Sequence, residues 1–167
     1  MALNAALLGK AYPPLYYEVG REKLREFAVA VGETDPLYHD LAVARAAGFP
    51  DLPAVPTFPV VLSMRAGRAA YDDPELGVDY GRLVHGEQEF SYERPVLAGD
   101  RLVATPTVVA IRSRGRHETL TIETAITTEA GEPVCTARSM VVIRGADPVP
   151  EGQAVPAGAA VPAGEPR

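Results

Sequence analysis

The sequence predicts an α+β domain, an antiparallel sheet wrapped around one long central helix. Three observations predict it. The stretch "TFPVVLSMRAGRAAY", residues 57–71, has a helix-start signal and is apolar on most faces, as a buried helix is. Beyond residue 82 the periodicity changes: "TLTIETAITT" alternates β-branched or apolar residues with polar ones, a period of two. The strand candidates there follow one another across turns, without helices between them, which implies antiparallel neighbours.

The elements follow in order. "PPLYYEV", residues 13–19, reads as an edge strand that starts after its prolines. In "REKLREFAVAV", residues 21–31, Leu24, Phe27, Ala28 and Val31 recur at helical spacing, and Gly32 supplies the usual stop. Asp40 is placed to cap a short helix, "LAVARAA", which Gly48 ends. "FPDLPAVP" is a loop punctuated by prolines. In the central helix Thr57 is the expected N-cap, and Pro59 falls in the first turn, where a missing N–H costs little. After the turn-rich "DDPELGVDYG" come "RLVHGEQEFSYERPV", "DRLVATPTVVAIRSRG", "HETLTIETAITTEAG" and "PVCTARSMVVIR" as strands. "EAGEP" reads as a hairpin connection.

The 167 residues, 47% of them hydrophobic, suffice for one domain with a sizeable core. That domain is expected to occupy residues 1–144. Residues 145–167 repeat "AVPAG" and hold little to bury, so a flexible tail is expected. A net charge of -6 without a dominant basic patch argues against nucleic acid. The N-terminus lacks a signal-peptide pattern, and no apolar run is long enough to span a membrane. A cytoplasmic protein is expected. The single cysteine, Cys135, lies in a strand-like run and reads as a buried, inert thiol. Three scattered histidines and one cysteine make no metal pattern, and no dinucleotide or phosphate-loop fingerprint occurs. No cofactor is expected.

Four motifs in this order, "YYEVGREKLREFAVAVGETDPLYHD", "AVPTF", "LVHGEQEF" and "YERPVLAGDRL", resemble the MaoC-like hydratase/dehydratase family, in its FAS1-like dehydratase branch. More narrowly they are similar to the non-catalytic-type subunits of actinobacterial (3R)-hydroxyacyl carrier-protein dehydratases. The resemblance implies a single hotdog domain. It also implies pairing with a second hotdog chain, as homodimer or heterodimer, and an acyl-CoA or acyl carrier protein thioester as substrate.

Removing water from a 3-hydroxyacyl thioester needs a base for the α-proton, an acid for the leaving hydroxyl, and N–H donors for the enolate-like oxygen. Active members of the resembled family carry Gly-Asp-x-Asn-Pro-x-His-x-Asp, in which the Asp and His do the proton work. Here the matching run is Gly32-Glu33-Thr34-Asp35-Pro36-Leu37-Tyr38-His39-Asp40. Glu33 stands in the place of Asp, Asp35 in that of Asn, and Tyr38 in that of the catalytic His. A phenol with a pKa near 10 is a poor base at neutral pH. His39 lies one residue too late, which turns it by about 100° in a helical segment. Glu33 and His39 are therefore the catalytic candidates only if the chain works alone; a capped loop and a contact histidine are the competing readings. Tyr38 is expected to line the pocket. The N–H groups of Thr57 and Phe58 are the candidate oxyanion donors, since Pro56 has none. His85 and Gly86, in "LVHGEQ", are candidates for lining the acyl tunnel or the seam between chains. The arginines Arg65, Arg68, Arg112, Arg114 and Arg116 read either as solvated surface or as contacts for a phosphopantetheine or an acidic carrier. "RSRGRH" is the densest basic cluster.

Overall fold

In the computed structural model residues 3–145 are described. A five-stranded antiparallel sheet has the order β1-β3-β4-β5-β2. The strands are β1 (Leu15–Glu18), β2 (Leu83–Tyr92), β3 (Arg101–Arg114), β4 (His117–Thr128) and β5 (Pro133–Ile143). Three helices cover one face: α1 (Arg21–Ala30), α2 (Leu41–Ala46) and α3 (Val60–Tyr71). The expected order, a strand, then helices, then four antiparallel strands, is the observed one. β1 is an edge strand paired only with β3, from Leu15 opposite Ala104 to Glu18 opposite Arg101. β2 is the opposite edge, paired with β5 from Leu83–Ile143 to Tyr92–Cys135.

Alternation does the packing. Leu102, Ala104 and Val108 of β3, Leu120, Ile122 and Ile126 of β4, and Cys135, Ala137, Val141 and Ile143 of β5 all face the helices and are buried. α3 lays Leu62, Ala66 and Ala70 on this surface; small residues at that spacing let helix and sheet approach closely. Phe58, fully buried, meets the Phe27 ring edge-on at 5.4 Å. Burial of such a ring contributes about 1.5–3 kcal/mol.

Three expectations are corrected. The central helix begins at Val60, not at Thr57, and its N-cap is Pro59, with no side-chain cap. The reason is local: Phe58 N–H turns back to the Val55 carbonyl at 2.8 Å, closing a separate turn before the helix. α3 is also not buried all round. Met64, Arg65 and Arg68 lie on an open face, because the sheet covers only the other side. Val31, read as part of the apolar face of α1, is half exposed, because it caps the helix rather than continuing it. Residues 3–12 also enter the core through Leu3 and Tyr12, tied down by Asp73. The sequence shows no period there. Of the expected tail, residues 145–167, Gly145 is described, with its N–H on His117 Nδ1 at 3.3 Å, and residues 146–167 lie outside the described residues.

Candidate functional site

The loop between α1 and α2 is built by successive caps. α1 ends in a paired motif: Gly32, at φ +76°, donates to the Val29 carbonyl, and Glu33 N–H reaches the Ala28 carbonyl at 2.8 Å. The Glu33 carboxylate then accepts from Asp35 N–H at 2.8 Å, and Asp35 accepts from Leu37 N–H at 2.9 Å. Pro36–Tyr38 form one 3-10 turn, and Asp40 caps α2 through Ala42 N–H at 2.7 Å, the cap its position predicts. His39 closes the loop from inside. Its Nε2 donates to the Glu33 carbonyl at 2.8 Å, since a carbonyl can only accept, and Arg25 Nε holds the His39 carbonyl at 2.9 Å. Glu33 and His39 are thus brought together, but through the main-chain carbonyl of one and the ring of the other.

Tyr38 points elsewhere. With Leu37 it lines a cleft of about 310 Å³, whose walls include Phe49, Pro53, Pro56, Tyr92 and Val96. The surface is chiefly apolar. The Tyr38 phenol is pushed above its ordinary pKa of 10.0, first by burial and then by the charges of Glu33 and Asp35. It is therefore a neutral O–H donor at pH 7, and it makes no hydrogen bond among the described residues. Tyr92 donates its hydroxyl to the Pro56 carbonyl at 2.6 Å, clamping the proline-rich loop to the end of β2. A second clamp is the isolated pairing of Pro53 with Leu97, with Ala54 N–H on the Val96 carbonyl at 2.8 Å. Arg94 grips Asp100 with both forks at 2.8 and 3.0 Å and so shapes the third wall. Behind Tyr92 lies Cys135, buried, its thiol pushed up to about 11 by burial.

The other candidates do not line this cleft. Phe58 is core, with its N–H occupied by Val55, so it is not an oxyanion donor here. Thr57 is exposed in the turn beside Pro56. His85 is exposed on the β2 edge, where the register slips between His85 and Glu87. Gly86 sits in that bulge, where a Cβ would come within 2.8 Å of the Met140 Cε, the movable end of a flexible side chain. Neither reaches the cleft. Among the described residues no cluster of His, Cys, Asp or Glu is suited to a metal, and no helix is long and apolar enough to cross a membrane. Tyr92, Phe49 and Arg94 went unassigned from sequence. Tyr92 and Arg94 belong to the stretch "YERPVLAGD" and Phe49 to the proline-rich loop, and only the fold brings them to one cleft with Tyr38.

A sheet wrapped on a central helix, with a cleft at the capped loop, is the architecture of a hotdog-fold protein. The comparisons with known proteins agree. Residues 6–137 match the model of the FAS1-like dehydratase domain region, and the chain belongs to that family. A UPF0336 protein of Saccharopolyspora erythraea is 51% identical over 154 residues, 92% of this chain and 99% of that one. Among solved structures, the (3R)-hydroxyacyl-ACP dehydratase complex HadBC of Mycobacterium tuberculosis matches with TM-score 0.73 and 30% identity, over 81% of this chain and 96% of that chain. A MaoC-like dehydratase matches with TM-score 0.78 and 30% identity, over 96% of this chain and 53% of that longer one.

Proposed function

We propose that this chain is the substrate-holding component of a (3R)-3-hydroxyacyl-thioester dehydratase or enoyl hydratase, paired with a second hotdog chain that supplies the Asp/His pair. The thioester would be carried by CoA or by an acyl carrier protein, in fatty acid or polyketide metabolism. One observation carries the reading: the cleft offers apolar walls and one unengaged phenol, while Glu33 and His39 hold the loop instead of facing the cleft. In this arrangement the apolar wall of Leu37, Phe49 and Val96 takes the acyl chain. Tyr38 donates to an oxygen of the substrate and, being a neutral phenol, does not abstract the α-proton. Thr57, at the rim beside Pro56, offers its N–H to the thioester oxygen. The open edge of β2, with His85 and Gly86, forms the seam with the partner. The MaoC-like and HadBC similarities support such a pairing.

The test is an assay of the purified chain on 3-hydroxyacyl and enoyl thioesters, alone and then co-expressed with a MaoC-like chain carrying Asp-x-Asn-Pro-x-His. Activity only in the pair is the expected result. Activity of the chain alone, lost in both Glu33→Ala and His39→Ala, would overturn it in favour of a self-sufficient homodimer. Thioester binding without activity in any pairing would leave a non-enzymatic acyl-thioester-binding protein.

A further inference from the structure

The approach to the central helix begins with a β-turn, Val55-Pro56-Thr57-Phe58, closed by Phe58 N–H on the Val55 carbonyl at 2.8 Å. Pro56 stands at the second position, where its fixed φ suits a type I or a type II turn. The two types differ in one peptide, Pro56–Thr57, whose plane is turned over between them. Type II demands a positive φ at the third position. Among the described residues only glycines have a positive φ, so the turn at Thr57 is type I. A β-branched side chain there resists the alternative.

A second contact holds the same peptide. Tyr92, 36 residues away on β2, donates its hydroxyl to the Pro56 carbonyl at 2.6 Å. Burial, and then Cys135 beside it, push that phenol well above its ordinary 10.0, so the donor persists at neutral and mildly alkaline pH. The peptide is trans, and its C=O and N–H point in opposite directions. Fixing the Pro56 carbonyl therefore also fixes the Thr57 N–H, on the side away from Tyr92. That N–H is unspent. The donors that follow it, on Phe58, Val60, Val61 and Leu62, reach the carbonyls of Val55, Thr57, Phe58 and Pro59. The Thr57 N–H donates to nothing among the described residues. Turning the peptide over would replace this donor with a carbonyl oxygen, which repels an anion.

We infer that Tyr92 is a positioning residue: together with the β-branch of Thr57, it keeps the Thr57 N–H, and not the Pro56 carbonyl, available to an oxyanion. The assignment of that oxyanion to a thioester rests on the proposed function. The double hold on the peptide does not.

Two readouts test these parts separately. In the full chain alone, the nuclear Overhauser contact between Pro56 Hα and the amide proton of residue 57 is weak in a type I turn and strong in type II. It should be weak in the unaltered chain, in Tyr92→Phe and in Thr57→Gly, and strong when those two substitutions are combined. Tyr92→Phe combined with Thr57→Ala, which keeps a Cβ, should stay weak. A weak contact in the glycine double variant, or a strong one in the alanine double variant, would overturn the inference whatever the chain catalyses. In the pair with a MaoC-like chain, the glycine double variant should lose about 10²-fold in kcat at little-changed KM, because the donor acts on charge that develops in the transition state. Each single change should cost less than about ten-fold, one hydrogen bond's worth. Single losses that merely multiply to the double one would overturn the positioning role. A pair inactive before any substitution would count against the proposed function alone, with the turn contact still deciding this inference.

Discussion

The His39 ring lies on the main chain of Glu33, its Nε2 2.8 Å from the Glu33 carbonyl. In the neutral ring this fixes the proton on Nε2 and leaves Nδ1 as the only basic atom. An imidazole held this way braces a loop. His39→Ala should therefore cost about 1 kcal/mol in urea unfolding, one part-buried hydrogen bond. The same substitution should leave the activity of the isolated chain at background. A large fall in an activity that the lone chain already possessed would contradict this.

Tyr38→Phe removes an O–H and keeps the ring. One neutral hydrogen bond to substrate is worth about 0.5–1.5 kcal/mol, so thioester affinity should fall about two- to thirteen-fold. The melting temperature should not move. A direct binding titration of the paired complex reads the change in Kd.

Arg94→Ala leaves Asp100, whose side chain is only 14% exposed, with Leu97 N–H as its remaining donor. Arg94 is itself a third exposed, and solvent screening lowers the loss below that of a fully buried pair. Destabilisation of about 1–2 kcal/mol is expected in chemical denaturation. Because Arg94 walls the cleft, ligand affinity should fall with it, whereas Arg21→Ala at the exposed Asp51 pair should leave ligand binding alone.

The acid limb of stability should depend on Asp73. Hydrogen bonds from Lys10 and then Tyr12, both at 2.7 Å, hold its carboxyl at about 2 against an ordinary 3.8. A carboxyl lowered on folding stabilises in full above its unfolded pKa and loses that contribution as pH falls through the folded one. Unfolding midpoints should thus drop as pH falls from 3.8 towards 2. In Asp73→Asn the neutral-pH midpoint should be lower and the acid slope shallower. Identical slopes in the two proteins would refute the assignment.

Cys135, buried and pushed up to about 11, should resist iodoacetamide in the native chain at neutral pH and label at once in denaturant.

Periodic elements were legible before folding. The two-residue alternation of residues 117–128 and the stop at Gly32 announced themselves, because each depends on neighbours in sequence. The start of the central helix was not legible: Thr57 is a good cap by type, but the turn closed by Phe58 N–H on Val55 displaced it. The site divides in the same way. Glu33 and Tyr38 standing where the resembled family has Asp and His is an expectation that needed only the sequence and the resemblance. The cleft could not be read there, because Tyr38, Pro56 and Tyr92 meet only across the fold, through a hydroxyl and a carbonyl 36 residues apart.

The unpaired side of β2 has a practical consequence for anyone who makes this chain by itself. Ten residues of strand end in a row of free N–H and C=O groups, and such a margin recruits whatever extended peptide drifts past. Glu87 and Glu89 are exposed on it, and like charges facing each other across a seam repel. Charged side chains on an edge strand oppose such pairing. Salt that screens them, or their replacement by glutamine, should turn a dispersed preparation turbid.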